Sequence, residues 1–164
     1  MNLQLKAIKH SEFASQETHC YQANLYLDGK KVGEVGNDGH GGCDNFDGDW
    51  EVFRDIQAYF KTLPPEIITE IGGRPVGGEP LVINQNLENW CCNEVNTWLA
   101  AKVVKRELSK KVLFTKDGGV RYISATKAQR ADTIEHVKSK YPEAVILNCL
   151  AIEEAIELYQ QLVG

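Results

Sequence analysis

Tyr21-Gln22-Ala23-Asn24-Leu25-Tyr26-Leu27-Asp28-Gly29-Lys30-Lys31-Val32-Gly33-Glu34-Val35 is the stretch that decides the fold. Tyr21, Ala23, Leu25 and Leu27 alternate with Gln22, Asn24 and Tyr26, the period of a strand with one buried face. Asp28-Gly29 is a two-residue hairpin turn, because both positions tolerate a positive φ. Lys31–Val35 then returns as the second strand. A turn centred there pairs residues whose numbers sum to about 57–60, so His19 comes opposite positions 38–41.

Working outward, Leu3, Leu5 and Ala7 alternate with polar residues and add a third strand, making a three-stranded antiparallel sheet. On the other side of the hairpin lies Gly36–Asp49, with five glycines, four aspartates, His40 and Cys43. No packed core needs that composition. It is either an ordered polar loop, its glycines at positive φ and its aspartates in side-chain turns, or a site.

Downstream, Asp49 is placed to cap a helix carrying Trp50, Phe53, Ile56, Tyr59, Phe60 and Leu63 toward a core, and Pro64-Pro65 stops it. Glu66–Ile71 reads as a short helical turn. The Gly/Pro stretch 72–80 is the best candidate for an internal boundary in a chain otherwise read as one compact domain, 1–164. The longest helix runs from Gln85 to Lys110, with Asn84 as cap and Leu87, Cys91, Val95, Trp98, Leu99 and Val103 on one stripe. Truncating Trp98 should therefore cost about 3–5 kcal/mol. Basic residues crowd its C-terminal end, where they complement the helix dipole.

Val112–Thr115 and Val120–Ile123 form a second hairpin around Asp117-Gly118. A helix over Thr126–Tyr141 follows, with Ala131, Ile134 and Val137 inward. An apolar strand over Ala144–Asn148, covered on both faces and reached by a right-handed crossover, and a closing helix complete a ββαβα unit. The fold class is α+β: an N-terminal antiparallel sheet, a long central helix and this C-terminal unit.

The 164 residues suffice to bury a core without staples, and a formal charge of −5 disfavours binding nucleic acid by bulk electrostatics. It is also too mild for a chain that mimics DNA by acidity alone. The N-terminus alternates and is charged, unlike a signal peptide, and no apolar run approaches the ~20 residues of a membrane helix. The expected location is cytoplasmic, with no membrane partner. Five cysteines, an odd number with Cys91 and Cys92 adjacent, argue against a disulfide framework. Cys149 reads as a small buried hydrophobe, and Cys20 and the Cys91-Cys92 pair are read first as packing residues.

Several chemistries compete for the glycine-rich loop. His40-x-x-Cys43 has zinc-ligand spacing, completed by Cys91-Cys92 or His19-Cys20, yet it is only half a zinc motif. Asn45-x-Asp47-Gly48 resembles the middle of a calcium loop, but Cys43 and Arg54 occupy end positions that need carboxylates. Gly39, Gly41 and Gly42 could turn N–H groups toward a phosphate, but no lysine follows at the P-loop spacing. Cys43 with His40, or Cys20 with His19, offers a thiol beside a base. The ligand or interface candidates are His19, Asp38, His40, Cys43, Asp44 and Asp47. The hairpin register brings His19, Asp38, His40 and Cys43 to the open end of the sheet. There they either form a ligand or acid–base set or hold the loop in shape through hydrogen bonds.

Phe13–Ala23, Leu27-Asp28-Gly29-Lys30 and Asn37–Gly42 resemble short uncharacterised proteins of bacteriophages and other mobile elements. The resemblance spans about residues 8–46. It implies a phage-type accessory protein in a bacterial host, a setting where host-takeover and counter-defence (anti-CRISPR-like) proteins are frequent. Such proteins act by stoichiometric binding to a host protein or by sequestering a ligand, and the resemblance carries over no catalytic residue. Against that reading stands a small metal-dependent enzyme built on loop 37–49.

Overall fold

A computed structural model describes residues 1–71, 74–75 and 77–163. The chain is α+β and divides into two compact units, Met1–Val95 and Asn96–Gly164.

In the first unit, β1 (Leu3–His10), β2 (Tyr21–Leu27), β3 (Lys30–Asn37) and β4 (Asn45–Gly48) form an antiparallel sheet in chain order. The hairpin register starts at Leu27↔Lys30, as the turn dictates, and shifts by one residue between Tyr26 and Leu25, so that Tyr21 comes opposite Asn37. Asp28 (φ 48°) and Gly29 (φ 84°) both take the left-handed region, whose twist matches that of the strands. Tyr21, Ala23 and Leu25 are buried on one face.

Two features of the sheet depart from the sequence reading. Ala7 is exposed, not inward. Lys6 pairs with Asn24 but Lys9 with Gln22, so Ala7 and Ile8 share one partner position, and Ala7 lies at φ 53°. This bulge adds a residue, which returns Ile8 and His10 to the face of Leu3 and Leu5. The second departure is β4 itself, drawn from the end of the glycine-rich stretch. A Cβ on Gly33 would lie 2.7 Å from the Asp47 carbonyl, and one on Gly48 2.4 Å from the Val32 carbonyl. Glycine on both strands therefore permits the close pairing of Gly33 with Gly48.

Asp49 caps α1 (Trp50–Thr62), its Oδ1 accepting from the N–H groups of Glu51 and Val52. Ile56 and Phe60 are buried, but Trp50 is 62% exposed. It lies at the helix start, where its ring packs edge-on against Phe46 and Phe53 rather than into a core. Glu66–Ile71 is extended rather than helical. β5 (Glu66–Ile68) pairs with β8 (Leu81–Ile83), and β6 (Glu70–Ile71) with β7 (Arg74–Pro75). The two sides of the Gly/Pro stretch 72–80 thus pair with each other, and the division between units falls farther on, inside α2 (Leu87–Lys110). Gly72, Gly73 and Val76 of that stretch lie outside the described residues. The cap of α2 is Asn86, whose Oδ1 accepts the Asn89 N–H at 2.7 Å; Asn84 supplies only a carbonyl to the Asn89 side chain.

The second unit is built on β9 (Lys111–Lys116) and β10 (Gly119–Ser124), joined by Asp117 (φ 53°) and Gly118 (φ 71°). α3 (Arg130–Lys140) starts later than the sequence suggests. The Gln129 side chain instead accepts from the Thr126 N–H and hydroxyl, closing a turn before the helix. Val137 is buried and Ile134 packs on the core around Val112 and Phe114, whereas Ala131 is exposed.

The apolar segment before α4 (Ile152–Val163) is not a full strand. Ile146 makes a single antiparallel bridge to Phe114, so no parallel crossover forms, and Leu147–Cys149 is a 3-10 turn. The physical reason is Asn148. Its Oδ1 accepts the Leu113 N–H at 2.8 Å, and its Nδ2 donates to the Lys111 and Leu108 carbonyls. One side chain takes over the role of continued strand pairing. The turn leaves Cys149 exposed, while Leu147 fills the core with Val104, Leu113 and Ala155.

Trp98 is half-buried with the Lys102 ammonium 4.3 Å above its ring. It does not sit in the core, so the full truncation cost does not apply. Glu107 pairs with Arg106 and Lys111, which offsets part of the positive charge at the end of α2.

Candidate functional site

The open end of the N-terminal sheet is closed by two loops, residues 11–20 and 38–44, tied together by hydrogen bonds. At the centre is Asn37, the last residue of β3 and 8% exposed. Its Oδ1 accepts from the Thr18 hydroxyl (2.7 Å) and the Gly39 N–H (2.9 Å). Its Nδ2 donates to the Gly42 carbonyl (2.8 Å) and to Asp44 Oδ1 (3.0 Å). The Thr18 oxygen in turn accepts the Gly41 N–H at 3.3 Å.

Gly39 makes the second tie. Its carbonyl accepts the N–H groups of Gln16, Glu17 and Thr18. A Cβ there would lie 2.1 Å from the Ala14 carbonyl, and φ is +90°, so only glycine fits.

Between these loops and the first turns of α2 lies a cleft of about 460 Å³. The loops contribute Ser15–His19, Asn37 and Asp44; the strand contributes Tyr21; the helix contributes Glu88, Asn89 and Cys92. The Tyr21 hydroxyl donates to Asp44 Oδ2 and contacts the Cys91 thiol. Burial, then the neighbouring Cys91 and Asp44, push the phenol well above its ordinary range. It therefore remains a proton donor to Asp44. Burial also pushes the Cys91 thiol up to about 12. It is a thiol, not a thiolate, at neutral pH, which removes it as a nucleophile.

The residues singled out in the sequence separate into two groups. His19 and Asp44 line the cleft. Asp38, His40, Cys43 and Asp47 are exposed. Asp38 serves the loop itself, its Oδ1 accepting the His40 N–H at 3.1 Å in a side-chain turn. The imidazole beside His19 is that of His10, with ring centroids 5.4 Å apart. Among the described residues, no three His, Cys, Asp or Glu side chains converge closely enough to hold a metal ion. The His40–Cys43 pair thus has no third or fourth ligand there.

A Ser–His pair is also present, Ser15 Oγ lying 3.2 Å from His10 Nε2. The same oxygen donates to the Ser11 carbonyl and accepts the Cys20 N–H. The nearby N–H groups of Gln16, Glu17, Thr18, Gly39 and Gly41 all have internal acceptors. These N–H groups are thus committed to the loop, and Ser15 ties His10, Ser11 and Cys20 together within it.

Sequence reasoning missed Asn37, Tyr21 and the α2 wall of Glu88, Asn89 and Cys92. A signal existed for Tyr21: a tyrosine on the buried face of a strand needs a partner for its hydroxyl. Nothing in the local sequence points from Asp44 to Glu88.

No family model matches this chain, and neither the curated proteins nor the solved structures contain a significant match to it. Among the described residues, no helix is long and apolar enough to cross a membrane.

Proposed function

We propose that this chain acts by binding: a phage-type accessory protein that engages a host protein stoichiometrically in the bacterial cytosol, in the manner of a counter-defence inhibitor, through the cleft of its N-terminal unit. The observation that carries this reading is Phe13. Its ring is 99% exposed on the same loop that supplies Ser15–His19 to the cleft. A phenyl group wholly in water, on a loop that also walls a preformed cavity, is the composition of a contact surface, an aromatic anchor with a specificity pocket. The resemblance over residues 8–46 covers this loop and the β2–β3 hairpin. The internally satisfied hydrogen bonds around Asn37 and Gly39 support binding, since they fix the shape of the cleft before a partner arrives.

A second reading, sequestration of a small ligand, is favoured by the cavity volume, which falls within the range of small-molecule sites.

Affinity capture from a bacterial host lysate, with native mass spectrometry of the purified chain, tests both. Wild type should retain a protein partner that both Phe13→Ala and Cys92→Trp lose at unchanged melting temperature. A retained small molecule lost only by Cys92→Trp would favour sequestration. Identical captured material from all three proteins would overturn the reading.

A further inference from the structure

We propose that the group entering the N-terminal cleft is a cation on an aliphatic stem, the guanidinium or ammonium of a basic side chain on the bound partner. This rests on the binding role proposed above and names the chemistry the cleft selects.

Three acidic residues, Glu17, Asp44 and Glu88, line the cavity, and among the described residues no lysine or arginine does. Among the described lining residues, His19 alone is able to carry positive charge. The three residues come from separate segments, two loops and the first turn of α2, so acidic side chains are spread around the cavity wall instead of following one another along one element. A cleft lined by one sign of charge concentrates its field and draws in the opposite charge.

Asp44 is the fixed point of this arrangement. The Tyr21 hydroxyl and the Asn37 amide each donate to a different one of its oxygens, which sets the plane of the carboxylate. Each oxygen keeps a further lone pair for a ligand. Because the buried phenol holds its proton, Tyr21 supports the charge on Asp44 and does not compete with it. A guanidinium fork or an ammonium matches such an acceptor, whereas an anion would meet three like charges.

Titration calorimetry on the full chain, with short blocked peptides carrying one arginine, one lysine or one citrulline, tests the assignment. Spermidine serves as the free-cation arm. The arginine or lysine peptide should bind, and the isosteric but neutral citrulline peptide should bind at least about tenfold more weakly. Added salt should weaken the cationic peptides. Glu17→Gln/Glu88→Gln, which leaves the Asn37 and Tyr21 hydrogen bonds intact, should weaken them about tenfold at unchanged melting temperature. Binding of spermidine without either peptide would keep the cation and assign it to a free polyamine.

Equal binding of the citrulline peptide, indifference to the double variant, or no binding of any cation would overturn the inference. If no cation binds yet Cys92→Trp still abolishes partner capture, the cation inference alone falls. If capture is also indifferent to the cleft, the binding role falls with it.

Discussion

Each unit of this protein holds an irregular segment in place with one asparagine, and the two asparagines have different consequences. In the N-terminal unit Asn37 joins a hydroxyl, backbone groups and the carboxylate of Asp44. In the C-terminal unit Asn148 bonds only backbone, the Leu113 N–H and the carbonyls of Leu108 and Lys111. The same amide chemistry thus ends strand pairing in one place and organises a cleft in the other. The difference lies in the company each keeps. Asn37 and Asp44 both line the cleft, with a buried phenol behind Asp44, whereas the bonds of Asn148 turn inward to the Leu113–Leu147 core. A saturated polar side chain marks a site only when it borders space and orients a charge.

The comparison can be broken most directly by removing both amides. Asn37→Ala leaves a hydroxyl, an N–H and a carbonyl without their partner at a buried position. It should cost about 2–4 kcal/mol and abolish binding in the cleft. Asn148→Ala, at a half-buried position, should cost about 1–3 kcal/mol and leave that binding unchanged in the folded fraction. Denaturant titration with a capture assay reads both; equal loss of binding in the two variants would erase the distinction.

A smaller effect concerns the phenol behind Asp44. Tyr21→Phe removes a hydrogen bond to a carboxylate and should cost about 1.5–3 kcal/mol near neutral pH. The sign of the pH dependence follows from the raised values of Tyr21 and Cys91. Both groups are protonated in the fold, so their contribution is fully present below their unfolded values. For the thiol it is lost as pH rises from 9.0 through about 12. For the phenol the loss begins above about pH 10. Thermal melts between pH 8 and 11 should fall more steeply for wild type than for Tyr21→Phe; parallel curves would show that the phenol does not report on the fold.

The smallest effect concerns the bulge in β1. Ala7→Val should destabilise by about 1–2 kcal/mol, because a β-branched residue resists the left-handed region. Ala7→Gly should change stability by less than about 1 kcal/mol. If valine proves neutral in urea titration, the bulge is not fixed at Ala7.

The sequence by itself determined the local elements. Asp28-Gly29 and Asp117-Gly118 set two hairpins because both residues of each pair take a positive φ, which gives a tight turn whose twist matches that of the strands. The register of the first next to its turn followed from that turn, and alternation chose the buried face of Tyr21, Ala23 and Leu25. Asp49 capped α1, since the orphan N–H groups of a helix start need an acceptor nearby in sequence. These are all interactions between neighbours in the chain, where spacing alone carries the information. What only the tertiary structure decided lies across long separations. Whether Asn45–Gly48 pairs with β3 depended on glycines facing each other across two strands. Whether the apolar segment near Ile146 became a strand depended on Asn148 reaching the Leu113 backbone, 35 residues away. The cleft depended on Glu88, Asn89 and Cys92 of α2 coming to face Asp44 and His19. No period or spacing encodes that meeting, because it is set by how whole elements pack.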